Sequence, residues 1–179
     1  QNTDGSQSPY EMNISYFDAL SDPDSAESLD IQIDRFMAAQ AILLSLRGLP
    51  GIYFHSLFGS RNWLAGVQIT HHNRTINRQK LERGGLEAEL ADPNHLRSQV
   101  FSRYRHLLAQ RAASRAFHPC GGQKILDGGR EIFALLRDSP DGEQHVLCVQ
   151  NVTPYIQTVT LLNAVHALKP YQTVWLVNP

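Results

Sequence analysis

"GIYFHSLFGSRNWLAGVQITHHNRTINRQKL", residues 51–81, is where two textures of the sequence meet. Gly51 to His55 make a short apolar run just after Gly48 and Pro50, and such a run bounded by breakers reads as a buried strand. About 25 residues rich in Asn, Arg, His and Gly follow, with no clear period. So long a polar excursion after a buried strand is expected when the strand belongs to a barrel and the excursion walls a pocket at its end.

Just upstream, "SDPDSAESLDIQIDRFMAAQAILLSLRGLPG" carries the marks of a helix over 30–47. Asp22-Pro23 supplies a cap or a turn ahead of it, Ile33, Phe36, Met37, Ala41 and Leu44 share one face, and Gly48 and Pro50 end it. Downstream, "ELADPNHLRSQVFSRYRHLLAQRAASRAF" predicts a second helix, with Asp92 as N-cap and Pro93 at N1. Leu96, Val100, Phe101, Tyr104, Leu107 and Leu108 fall at helical spacing along it. Helix, short loop and strand form an αβ unit of a parallel sheet or barrel. Past Pro119 the period drops to two. Strands are expected over 123–127, 130–138, 143–151, 155–162 and 171–177, with "DGG" and "SPDG" as tight turns between the first three. The chain therefore divides into an α/β part, 1–118, and an all-β part, 119–179. The first part offers too few strands to close an eight-stranded barrel by itself.

Composition narrows the function classes. The 179 residues are 42% apolar, enough for a packed core, and sixteen basic against seventeen acidic residues give a net charge of −1. No basic stripe points to nucleic acid or to a membrane surface. No apolar run of about 18 residues and no signal-like N-terminus stand out, so a cytoplasmic protein is expected. The chain opens on Gln1 and polar residues as though cut from something longer. Cys120 and Cys148 are too few for a disulfide framework and are expected as buried free thiols. Sequons at Asn13, Asn73 and Asn151 carry little weight without a secretion signal. No cofactor motif is present. His71-His72 lacks a third ligand at metal spacing, and neighbouring residues point apart, so no metal site is expected. "DALSDPD", with Asp18, Asp22 and Asp24, reads as a turn and helix cap.

Four stretches carry a resemblance: "DGSQSPYEMNISYFDAL" (4–20), "LRGLPGIYFHSLFGSRN" (46–62), "NRTINRQKL" (73–81) and the β module. On these the chain resembles the C-terminal part of the α-amylase family, most closely the sucrose phosphorylase branch, which includes the sucrose 6-phosphate and glucosylglycerate phosphorylases. The resemblance implies the C-terminal piece of a (β/α)8 barrel, its last strand and last two helices, followed by a small antiparallel domain C. It also implies retaining glucosyl transfer from sucrose-like glucosides to phosphate, giving glucose 1-phosphate. The three catalytic carboxylates of that family belong to earlier barrel strands, and nothing here looks like the motifs that bear them. The chain alone is thus expected to be inactive and to self-associate through faces meant for missing strands. The expected small-molecule partners of the parent enzyme are a sugar and inorganic phosphate. Two alternatives are a hydrolase parent of the α-amylase type and a non-catalytic carbohydrate-binding or structural module.

Within the resemblance, Arg74 of "NRTINR" matches the arginine that holds glucose hydroxyls in the cleavage subsite. A planar guanidinium suits paired bonds to vicinal hydroxyls or to a carboxylate that also binds sugar. Asn77 and Arg78 are expected to brace the loop. Glu11 ends the acceptor-shaping loop, where sucrose phosphorylases tend to carry Gln. A carboxylate there would repel phosphate-bearing acceptors unless a cation paired with it. Tyr10 is a candidate for stacking on a sugar face. His55 stands at the end of the expected last strand, where barrel enzymes place functional groups. Trp63 replaces a small acidic residue of the branch and could flank the pocket mouth. "NTDGSQSP" looks more like the glucosylglycerate and sucrose 6-phosphate subgroup than the common sucrose phosphorylases.

Overall fold

The computed structural model describes residues 3–6 and 11–179. Helices come first: α1 (Tyr16–Leu20), α2 (Leu29–Ser45), α3 (Phe54–Leu57), α4 (Leu64–Thr70), α5 (Arg83–Ala91) and α6 (Leu96–Ala113), with 3-10 turns at Asn73–Asn77 and Arg115–Phe117. Strands follow: β1 (Gly122–Asp127), β2 (Ile132–Asp138), β3 (His145–Asn151), β4 (Gln157–Leu161), β5 (Ala164–Leu168) and β6 (Thr173–Val177). No helix among the described residues is long and apolar enough to cross a membrane.

The helical core forms where the sequence periodicity places it. Ile33, Phe36, Met37, Ala41 and Leu44 of α2 are buried against Val100, Tyr104 and Leu107 of α6, and Phe17 of α1 closes the cluster. Each buried Ile, Phe, Met, Leu or Val side chain of the cluster contributes about 1.5–3 kcal/mol. Tyr104 donates its hydroxyl to Gln40 Oε1, and burial raises its pKa.

The sheet has the order β1-β2-β3-β6, antiparallel throughout, and β4 and β5 form a separate hairpin. β3 is buried on both sides. Its period of two sends Val146 and Cys148 toward Leu135 and Phe117, and Leu147 and Val149 toward Leu161 and Leu168 of the hairpin. Arg137 of β2 clamps sheet to helices. It is fully buried and donates Nε to Gly122 O, Nη1 to Ser45 O at the end of α2, and Nη2 to His118 O, each at 3.0 Å. Ser45 O is one of the last-turn carbonyls a helix leaves unbonded, so a cation there also meets the negative end of the helix dipole.

Several expectations need correction. Residues 51–55 are not a paired strand. Tyr53 is extended (φ −71°, ψ 137°), but no strand among the described residues lies beside it, and the helical turn α3 begins at Phe54. Without a ladder partner the backbone closes its own bonds, as in Leu57 N–H to Tyr53 O at 3.0 Å. The polar excursion is largely helical, in α4, the turn at 73–77 and α5. α4 leaves Leu64 and Ile69 exposed and α5 buries no residue, so neither shows a period. α6 starts at Leu96 with His95 as its N-cap, while Asp92 caps α5 and holds the Asn94 N–H at 2.9 Å. β5 was not expected. It is reached through Leu162 (φ 50°) and Asn163 (φ 64°), a two-residue turn with both residues left-handed, where Leu gives no sequence signal. Cys148 is buried as expected, but Cys120 is exposed.

Candidate sugar-binding loops

Three segments distant in sequence are laced together at one end of the helical layer. Ser15 donates its N–H to Asn62 Oδ1 at 2.6 Å and accepts at Oγ from Asp18 N, capping α1. Asp18 does not serve as the cap that "DALSDPD" suggests. Its side chain is 2% exposed and takes Arg61 Nη1 at 2.8 Å on one oxygen and Asn62 N–H at 2.7 Å on the other. Arg61 reaches on to Gln32 Oε1 of α2 at 2.5 Å and stacks over Phe17, 4.8 Å from the ring centre. The arm 60–63 is thereby pinned to α1 and α2. Trp63 N–H then donates to Ile76 O at 2.7 Å, which hangs the 73–77 turn on the arm.

Asn77 completes the lacing, as expected of a bracing residue. Its amide donates to Ile14 O at 3.1 Å, and its carbonyl accepts from the Tyr53 hydroxyl at 2.9 Å. Arg78 does not brace: among the described residues its side chain has no hydrogen-bond or ion-pair partner.

The structure brings Arg74 and Glu11 together. Arg74 Nε lies 2.7 Å from Glu11 Oε1, an ion pair between side chains 54% and 29% exposed, so solvent screens it. The remaining guanidinium nitrogens have no partner among the described residues, and Arg74 lines an open cleft of about 550 Å³ with Trp63, Thr70, His72, Thr75, Arg78 and Lys80. Tyr10 lies outside the described residues.

His55 sits apart from this pair, in a neighbouring cleft of about 250 Å³ with Tyr16, Tyr53, Ser60 and Asn77. It is buried, and its Nδ1 is 3.0 Å from Ser60 Oγ, which also accepts Arg97 Nη1 at 2.5 Å. Arg97 in turn pairs with Glu89 of α5 at 2.7 Å. Desolvation, then the nearby Arg97 charge, lower the His55 pKa and keep the ring neutral near pH 7. Sequence reading missed Ser60, Arg61, Asn62 and Arg97. They carry no spacing signal, because each acts on a residue tens of positions away.

These loops lie on the flank of a helical layer backed by an antiparallel sheet, and comparison with known proteins gives the family. No protein-family model matches the sequence. Glucosylglycerate phosphorylase of Spirochaeta thermophila is 48% identical over 162 residues, 90% of this chain and 27% of that protein. Glucosylglycerate phosphorylase of Allomeiothermus silvanus is 41% identical over 178 residues (95% and 32%), and that of Escherichia coli 35% identical over 192 residues (98% and 33%). The chain thus spans about a third of the length of the curated relatives it matches. Among solved structures, a cyclic α-maltosyl-(1→6)-maltose hydrolase from Arthrobacter globiformis matches with a TM-score of 0.63 at 17% identity, covering 82% of this chain and 31% of that one. Trehalulose synthase from Pseudomonas mesoacidophila matches with a TM-score of 0.61 at 18% identity, covering 78% and 37%. The fold is that of the α-amylase-family enzymes. Within that family the chain belongs to the sucrose phosphorylase branch, alongside proteins named glucosylglycerate phosphorylase.

Proposed function

We propose that this chain is the pocket-wall and domain C portion of an α-glucoside phosphorylase that transfers glucose from a glucosylglycerate-like donor to phosphate. Residues 1–118 would then belong to the catalytic barrel and 119–179 to domain C, with the catalytic carboxylates in a part of the polypeptide other than these residues. The relatives' shared name and the share of their length matched here support this reading. Leu49, Tyr53 and Phe54, all exposed beside the unpaired segment 51–53, are where neighbouring barrel strands would pack.

The observation that carries the site is the Arg74–Glu11 pair. Glu11 holds Arg74 by Nε and leaves the terminal nitrogens to bind paired glucose hydroxyls. Glu11 also keeps an oxygen for an acceptor hydroxyl. In the reaction, the bond from the anomeric carbon to the aglycone oxygen breaks, the aglycone leaves with a proton, and a phosphate oxygen bonds to that carbon.

The test is phosphate-dependent release of glucose 1-phosphate from glucosylglycerate, sucrose and sucrose 6-phosphate by the full-length protein. Arg74→Gln should cut kcat/KM by about 10²-fold or more, the loss of two charge-assisted bonds. Release of free glucose without phosphate would support the hydrolase reading instead. No turnover of any α-glucoside would favour a binding or structural module.

A further inference from the structure

The cleft beside Arg74 has a charge pattern that glucose binding does not use. Arg74, Arg78, Lys80 and His72 line it, and no carboxylate among the described residues does. The chain as a whole carries a net charge of −1, so this is a local concentration of cations and not a basic surface at large. Glu11 neutralises Arg74. Arg78 and Lys80 are left as two cations with no hydrogen-bond or ion-pair partner among the described residues.

The walls are built rather than loose. The Trp63 ring lies so close on Gly66 that a Cβ there would come within 2.1 Å of Cε3, so position 66 must be glycine for the ring to hold its place. Thr70 Oγ1 and Thr75 Oγ1 are 2.8 Å apart and tie α4 to the turn, and Trp63 N–H fixes the turn's far end on Ile76 O. Two cations without partners among the described residues and an aromatic wall around an open cleft suit a compact dianion with several acceptor oxygens.

We infer that this cleft binds a phosphate group through Arg78 and Lys80, with Trp63 as its wall. The inference rests on the reading of these loops as part of a phosphorylase, and it places the phosphate-binding cations of this chain on residues apart from the glucose-binding Arg74. A phosphate is favoured over a carboxylate because two cations beyond the compensated Arg74 would overcompensate a single negative charge.

Binding can be measured without catalysis. The purified chain is titrated with inorganic phosphate at constant ionic strength, following fluorescence of Trp63, with Trp63→Phe to establish which of the two tryptophans responds. Glucose 1-phosphate, glycerate and chloride are separate arms. Saturable binding of inorganic phosphate, weakened about 5- to 10-fold by either Arg78→Gln or Lys80→Gln and abolished by both, is the expected result. Tighter binding of glucose 1-phosphate with the same dependence on Arg78 and Lys80 would keep the site and name a sugar phosphate as its source. Glycerate binding more tightly than phosphate, a response matched by chloride, or one indifferent to both variants would overturn the inference. Both residues are exposed, so the variants should fold, and far-UV circular dichroism checks it. A phosphorylase assay that fails while phosphate still binds would remove the functional reading and not the site. Activity with phosphate but no effect of Arg78 or Lys80 on its KM would do the reverse.

Discussion

Replacing Asp18 by Asn tests how the candidate binding loops are held. The Asp18 carboxylate accepts the Asn62 N–H at 2.7 Å and Arg61 Nη1 at 2.8 Å. An amide offers one acceptor where the carboxylate offers two, and it turns an N–H₂ toward one of those donors. A hydrogen bond to a charged group is worth about 1.5–3 kcal/mol. The Arg61 side chain is 31% exposed and can turn to water, so its share is discounted to roughly 1 kcal/mol. The Asn62 N–H has less freedom and keeps most of its value. The sum is a loss of about 2–4 kcal/mol, or a fall in Tm of roughly 5–15 °C for a chain of this size. Urea unfolding followed by circular dichroism measures it, and Asp22→Asn is the control. Asp22 only closes an exposed turn on the Asp24 N–H, so its loss should stay below about 1 kcal/mol. Because Asn62 leads directly into Trp63, Asp18→Asn should also shift Trp63 emission in the folded state. A loss under about 0.5 kcal/mol with unchanged emission would refute the account of a pinned arm.

Three further outcomes follow from the same geometry. Arg137→Met strips donors from Ser45 O, Gly122 O and His118 O, yet removes the cost of a buried charge, so a net loss of about 2–4 kcal/mol is expected in thermal unfolding. His55 has a lowered pKa when folded, so below about pH 6.5 the unfolded chain binds more protons than the native one. Stability should therefore fall as pH drops from 6.5 toward the folded pKa, and His55→Gln should flatten that part of the urea midpoint against pH. Burial pushes the Cys148 thiol up to about 12 whereas Cys120 is exposed, so a thiol reagent should label one cysteine in the native protein and two after unfolding.

How much was legible in the sequence differs by element. Ile33, Phe36, Ala41 and Leu44 could be read as a buried face because a helix packed on one side writes its period into the chain. β2 and β3 were legible for the same reason, alternating between two buried faces. α4 and α5 were hidden because they bury almost nothing, and β5 because Leu162 and Asn163 take up a left-handed turn without a glycine. In the site, Arg74 and Glu11 were singled out by resemblance, but nothing in the sequence spacing joins positions 11 and 74.

By itself the sequence determined the order of helices before strands, the core faces and the family motifs, since periodicity and local motif are properties of neighbouring residues. Tertiary structure alone decided which charges meet. It paired Glu11 with Arg74, gave Asp18 to Arg61 and Asn62, buried Arg137 on three carbonyls, and left Arg78 and Lys80 without partners among the described residues. A charge is assigned its role by what lies within about 4 Å of it, and for these residues that neighbourhood is supplied by chain far away in sequence.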